Sequence, residues 1–229
     1  GAPARPRPRG CMQRLTAQPL AAESASARGT APAFSAVVLA GGRSRRMGRD
    51  KARISRGGLP LIVRQLRLLR ELAPEEVFIS ARTEADYADL GTRVLADRFA
   101  GQGPVAGVER ALCLARGSLV LVLAVDLPEM TVALLEQVLR ACRGSTGVVP
   151  TVAGELEPLA ACYPKAAHPI AVERLDAGQN SARDFALACL QCGLIRTLEL
   201  SPEARVWFAN WNRPTDVDGT ASEPGGTLD

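Results

Sequence analysis

Aromatic side chains are scarce in this chain: Phe, Trp and Tyr make up only 4 % of its 229 residues. Any core must therefore be assembled from Val, Leu and Ala. A basic stripe with interleaved aromatics is missing, as are the motifs that read RNA or DNA, which argues against a nucleic-acid partner. Lysine is scarcer still, since of the 28 basic residues only Lys51 and Lys165 are lysine. His168 is the one histidine, and it cannot complete a zinc site of the usual kind with the CxxC pair Cys189 and Cys192. No apolar run reaches the ~20 residues of a membrane span, and the start of the sequence has no compact apolar segment of the secretory type. The six cysteines (Cys11, Cys113, Cys142, Cys162, Cys189, Cys192) are scattered through apolar stretches and not gathered into a disulfide framework. That usage predicts a reducing cytoplasm and cysteines buried as small apolar residues.

What is present is an ordinary globular balance. Hydrophobic residues are 47 % and charged residues 23 % of the chain, enough for one α/β domain with a sizeable core. The net charge of +4 is mild, and much of it falls on Arg5, Arg7, Arg9, Arg14 and Arg28, opposed in that stretch only by Glu23. Residues 1–33, rich in Pro, Arg and Ala without periodicity, read as a disordered extension. Residues 34–216 read as the domain and residues 217–229 as a flexible tail.

Within the domain, short apolar runs alternate with helical spacing. Phe34 to Ala40, Val77 to Ser80, Arg93 to Leu95 and Ser118 to Val125 read as strands, the last as a fully buried central one. Ile62, Val63, Leu66 and Leu69 follow Pro60 at helical spacing, and Val108, Ala111, Leu112 and Ala115 follow Gly103-Pro104 in the same way. A helix around Val132 to Cys142, strands near 147–152 and 159–163, and a helix from Ser181 to Cys192 come next. Strands near 194–200 and 206–208 complete the pattern. This alternation predicts a single three-layer α/β domain, a mostly parallel twisted sheet with helices on both faces. Ligands in such sheets bind beyond the carboxyl ends of the strands, which points to the loops after Ala40, Ser80, Leu95 and Val125.

The first of those loops carries the most chemistry. Gly41 and Gly42 let the backbone approach a ligand closely, and the arginines that follow supply positive charge, so the segment up to Lys51 reads as a phosphate cradle or as a generic Gly/Arg-rich surface loop. It matches neither the P-loop nor the dinucleotide fingerprint. Lys51 favours the cradle, because a compact ammonium in an arginine-using chain suits a point contact to phosphate. Asp126 closes the most apolar strand and stands ahead of Leu127-Pro128. Magnesium is held by one or two carboxylates together with substrate phosphates, which suits Asp126 as a ligand and Asp97 as a second acid. Capping of the next helix is the alternative for each.

The segment Leu39-Ala40-Gly41-Gly42-Arg43-Ser44-Arg45-Arg46-Met47-Gly48-Arg49-Asp50-Lys51 resembles the LAGGxSxRMGxDK signature of the molybdenum cofactor guanylyltransferases, within the nucleotidyltransferase superfamily. Asp97, Gly103-Pro104-Val105-Ala106-Gly107, Asp126-Leu127-Pro128, Glu157-Pro158-Leu159 and Asn210 to Asp216 follow in family order, so the resemblance runs from about residue 34 to 216. It implies a Rossmann-like nucleotidyltransferase fold and magnesium-dependent transfer of GMP from GTP to the terminal phosphate of molybdopterin (Mo-molybdopterin), with release of pyrophosphate. Leu39, Ala40 and Gly41 are then nucleotide contacts, Lys51 a phosphate contact, Asp97 a further nucleotide contact and Asp126 the metal ligand. Gly103 to Gly107 and Asn210 to Asp216 shape the acceptor side, and molybdoenzymes or their maturation chaperones become possible recipients. The chain departs from the family at Ser80-Ala81-Arg82, where an Asn is usual, and at Glu157, Arg213 and Thr215. A CTP-dependent sister enzyme, a sugar-phosphate nucleotidyltransferase and a silent nucleotide-binding adaptor are the competing expectations. Gly42 favours guanine, since cytidylyltransferase relatives tend to read LAAG at this point.

Overall fold

The computed structural model describes residues 33–41, 50–99 and 101–210. The readings made for residues 1–32, for Gly42 to Arg49 and for the stretch from Trp211 onward lie outside these. In chain order the elements are β1 (Phe34–Leu39), β2 (Ser55–Arg56), β3 (Leu59–Pro60), α1 (Leu61–Glu71), β4 (Glu76–Ala81), β5 (Arg93–Ala96), α2 (Pro104–Leu114) and β6 (Leu119–Ala124). They continue with α3 (Val132–Ala141), β7 (Gly147–Val152), β8 (Glu155–Leu156), β9 (Ala160–Pro164), α4 (His168–Asp176), α5 (Ala182–Gln191) and β10 (Ile195–Leu200).

One sheet runs in the order β10-β7-β9-β6-β1-β4-β5, with β8 paired to β7. β1 lies parallel to β4 and β6, β4 to β5, and β7 to β10, while β9 runs antiparallel between β6 and β7. Side chains alternate across this sheet, and both faces are covered. In β6, Leu119, Leu121 and Leu123 join one core with α1 and α3, whereas Val120 and Val122 join the other with α2, α4 and α5. In β1, Ala36 and Val38 divide from Val37 and Leu39 in the same way. A strand buried on both faces reads as an unbroken apolar run, which is why the central strands stand out in the sequence. The result is the expected three-layer α/β fold.

Local signals set the helix starts. Thr131 and Ser181 cap α3 and α5 by accepting from the backbone N–H groups of Leu134 and Asp184. Gly103 precedes α2 with φ 70° and ψ −165°, a conformation open essentially to glycine alone, and Pro104 opens the helix.

Four features differ from the sequence expectation. Residues 206–208 belong to a 3-10 helix, Pro202–Phe208, which buries Ala204 and Phe208 at a spacing of four and leaves Val206 exposed; a strand would have placed them differently. Helix α4 has few anchors, chiefly Ala171 and Leu175, and its early Pro169 reads as a breaker although the first turn tolerates it. The β2-β3 hairpin turns on Gly57 and Gly58, both at positive φ as a tight two-residue turn requires. Finally, Cys142, Cys162 and Cys189 are buried, but Cys113 and Cys192 are exposed, the latter just past the last residue of α5.

Candidate active site

The chain leaves β1 for β4 and β5 on one side and returns to β6 on the other. Such a reversal opens a crevice at the carboxyl ends of the strands. A cleft lies there. Its lining includes Leu39, Ala40 and Gly41 from the end of β1, Asp50, Lys51 and Ala52 beyond the loop, and Val125 and Asp126 after β6, together with Pro104 and Leu159. The backbone of this region is pinned by hydrogen bonds. Ala40 N donates to Ser80 O at 2.9 Å, Val125 N to Leu39 O at 3.1 Å, and Ala124 N to Leu159 O at 2.8 Å.

Lys51 and Asp126 meet in this cleft. Burial raises the Asp126 carboxyl above its usual range, and its own backbone hydrogen bond and the nearby Lys51 ammonium pull it back down. Each is held by neighbours that the sequence reading did not single out. Lys51 opens a 3-10 turn capped by Asp50, whose carboxylate accepts from Ala52 N at 3.0 Å and from the Tyr87 hydroxyl at 2.6 Å. Tyr87 is buried, sits at φ 60°, and keeps its proton because burial and Asp50 push its pKa far above the ordinary value. Arg53 lies 5.4 Å from the centroid of that ring and forms two hydrogen bonds to Asp89, at 2.8 and 3.1 Å.

The Asp126-Leu127-Pro128 segment is fastened from α1 and the small hairpin. Gln65 Nε2 donates to Leu127 O at 2.6 Å, and Arg64 Nε and Arg56 Nη1 donate to Pro128 O at 2.8 and 3.1 Å. Gln65 is fully buried, so this bond forms out of reach of water and fixes the strand exit that carries Asp126. A buried glutamine on the otherwise apolar face of a helix is the sequence signal that could have revealed it.

Asp97 stands behind Gly41, not in the lining itself. A Cβ on Gly41 would come within 3.2 Å of Asp97 Oδ2, so only a bare backbone passes here without pressing on the carboxylate. Ser80 Oγ donates to Asp97 Oδ1 at 2.9 Å. Gly107 of α2 lies directly over this pair; a Cβ there would fall 2.2 Å from Ser80 Oγ. The Gly103-to-Gly107 segment thus brings α2 close enough to β1 and β4 for Pro104 to reach the cleft.

Burial pushes Asp97 up to about 6, with the Glu109 charge adding to the rise and the Ser80 hydroxyl opposing it. The folded protein therefore holds this proton more tightly than the unfolded chain does. The group's contribution to ligand-free stability is greatest at acid pH and is lost as pH rises toward and through about 6. If Asp97 contacts the nucleotide, as the family resemblance implies, binding should run the other way, weakening below about 6 as the carboxylate takes up its proton. Calorimetric titration of nucleotide between pH 5 and 8 checks this, and Asp97→Asn should flatten the profile.

Other residues picked out by the sequence fall elsewhere. Lys165, the second lysine, donates to Ala115 O at 2.5 Å and closes the end of α2. Glu157 is half-buried outside the cleft lining, although Leu159 two residues on is part of it. Asn210 is exposed, and Trp211 to Asp216 lie outside the described residues. His168 does not approach the CxxC pair but contacts Glu109 at 2.9 Å.

The model of the MobA-like NTP transferase domain matches residues 36–191. A probable molybdenum cofactor guanylyltransferase of Opitutus terrae is 43 % identical over 191 residues, covering 82 % of this chain and 95 % of that protein. A second, of Pelotomaculum thermopropionicum, is 36 % identical over 182 residues, 79 % of this chain and 88 % of its own length. Among solved structures, molybdopterin-guanine dinucleotide biosynthesis protein A of Archaeoglobus fulgidus superposes with a TM-score of 0.61 at 24 % identity, covering 80 % of this chain and 94 % of that one, a likeness of fold. With the family model spanning most of its sheet and the guanylyltransferases alike over nearly their whole length, the chain belongs to the MobA-like NTP transferase family.

Proposed function

We propose that this chain transfers GMP from GTP to the terminal phosphate of molybdopterin (Mo-molybdopterin), releasing pyrophosphate. The observation that carries the reading is the meeting of Lys51 and Asp126 in one cleft at the carboxyl ends of the central strands. The donor chemistry there fits a magnesium ion. Asp126 is a carboxylate whose charge burial disfavours, and one ammonium only partly offsets that cost, so a divalent cation is a natural further partner. When bound, magnesium would supply positive charge to the phosphates of the nucleotide, with Asp126 as the residue of this cleft that would hold it.

The remaining work falls to the chain itself. An oxygen of the acceptor phosphate attacks the α-phosphorus of GTP, and the bond from that phosphorus to the bridging oxygen of the β-phosphate breaks, its electron pair leaving with pyrophosphate. The attacking oxygen is already ionised at neutral pH, so no strong general base is needed and catalysis is positioning and charge neutralisation. Lys51 meets the negative charge that spreads over the phosphates in the transition state. Leu39, Ala40 and Gly41 line the cleft where the nucleotide would lie, and the missing Cβ of Gly41 leaves room for Asp97 behind them. Pro104, carried into the cleft by α2, lies on the side assigned to the acceptor.

Pyrophosphate release with purified molybdopterin and each of GTP, CTP and ATP tests this. Turnover with GTP at least about tenfold above CTP, a difference of only ~1.4 kcal/mol, is the expected outcome. A clear CTP preference would overturn the guanylyl reading, and nucleotide binding without any pyrophosphate release would favour an adaptor. Cytoplasmic residence and hand-over of the product to molybdoenzymes or their chaperones complete the proposal; no helix among the described residues is long and apolar enough to cross a membrane.

A further inference from the structure

We propose that Glu109, Cys113 and His168 form a structural zinc site that clamps α2 to α4 on the face of the sheet away from α1 and α3. Glu109 and Cys113 are four residues apart on α2 and so project from one side of it, toward His168, the first residue of α4. Their ligand atoms all lie within 4.8 Å of one another. His168 Nε2 is 2.9 Å from Glu109 Oε1, and Arg98 Nη2 reaches the same oxygen only at 4.0 Å.

The second oxygen of that carboxylate is the independent observation. The Glu109 side chain is fully buried, and its Oε2 has no hydrogen-bond partner among the described residues. Buried carboxylate oxygens are normally satisfied, because leaving one bare in a dry interior is unfavourable. A metal ion at this point would engage the carboxylate and answer that need.

The donor set selects the ion. One thiolate, one imidazole and one carboxylate suit zinc, whereas magnesium and calcium take oxygen ligands. Zinc with a thiolate and a carboxylate sums to zero formal charge, so binding the ion and releasing the Cys113 proton cancels the charge of Glu109 and leaves the site neutral. Cys113 is exposed, which gives the ion an entry path and leaves water for the fourth position. On binding, the Cys113 S–H bond is replaced by a sulfur–metal bond and its proton is released to solvent. The contact between His168 and Glu109 gives way to a metal bond from each. Because α2 also carries Pro104 at the cleft, the clamp would steady one wall of the active site from the opposite end of the helix.

Cobalt(II) serves as the probe, since a thiolate ligand gives it a charge-transfer band in the near ultraviolet. Full-length protein should bind one cobalt with that band, release it on adding zinc, and show a zinc-dependent rise in melting temperature. Cys113→Ser and His168→Ala should each abolish the band and weaken zinc at least roughly tenfold. Cys192→Ser and Asp126→Asn should keep it, separating this site from the CxxC pair and from the catalytic cleft. Retention of ordinary magnesium-dependent turnover by Cys113→Ser would show that the variant is folded. A band that is missing from the wild type, or that survives Cys113→Ser, overturns the proposal and leaves a simple His168 to Glu109 contact.

Discussion

Lys51→Ala should lower kcat/KM for pyrophosphate release by about two orders of magnitude, a loss on the order of 3 kcal/mol of transition-state stabilisation. The figure is that of removing one preorganised donor from a site where charge develops. Lys51 is suited to that role because its backbone is fixed before substrate arrives. Asp50 caps the turn it opens, and Tyr87, held by its own packing and by Arg53, fixes Asp50. Little of the ammonium's interaction energy is then spent on ordering the chain. Lys51→Arg should rescue poorly, because a planar fork cannot replace a compact point charge in the same space. Lys165→Ala is the control: that ammonium ties off the end of α2, so its loss should affect stability and leave the chemistry nearly intact. Steady-state kinetics of the three variants decide it, and near-normal turnover by Lys51→Ala would remove Lys51 from the phosphate site.

Asp126→Asn should reduce magnesium-dependent turnover by at least on the order of 10²–10³ and yet raise the melting temperature of the ligand-free protein at neutral pH. The sign follows from the pKa. Asp126 is raised in the folded state, so its ionised form is disfavoured there relative to the unfolded chain, and stability is lost as pH rises through the folded value. An amide of the same shape does not ionise and escapes that loss. The gain should therefore be present at pH 8 and disappear at pH low enough to protonate the carboxyl in both states. For a chain of this size each ~1 kcal/mol corresponds to roughly 2–4 °C. Adding magnesium and GTP should reverse the order, because ligand that binds only the folded wild type stabilises it by mass action. Thermal melts from pH 5 to 8, with and without ligand, check both halves. A ligand-free variant no more stable than wild type at pH 8 would mean that Asp126 is already neutralised by the protein alone.

Much of the fold was legible because the central strands are buried on both faces. Phe34 to Leu39 and Leu119 to Ala124 are unbroken apolar runs, and no surface element of that length could be so. The helices covering them announced themselves through spacing and caps. Where few residues of an element are buried the sequence was silent: α4 buries only Ala171 and Leu175 and starts with a tolerated proline, and the Val206 to Phe208 run is apolar without alternating. The site divides in the same way. Leu39, Ala40, Gly41, Asp97 and Asp126 stand at strand exits and Lys51 at the far end of the loop after β1, where the logic of a parallel sheet says to look, and all but Asp97, which lies behind Gly41, line one cleft. The residues that hold them, Gln65, Tyr87 and Ser80, are separated from them in the chain, so no local window of sequence pairs each with the group it holds.

The sequence by itself determined the layering, the identity of the central strands and the chemistry available at their ends, because burial on two faces and the choice of lysine over arginine are properties of single positions. Only the tertiary structure decided which strands are neighbours, that β9 runs antiparallel between β6 and β7, and that Lys51 and Asp126 share a cleft although 75 positions separate them. It also decided the environment of His168, which the spacing of Cys189 and Cys192 pointed away from and which Glu109 and Cys113 in fact supply. Strand order and the meeting of distant side chains depend on how two faces pack at once, a property of the whole sheet that no local window of residues contains.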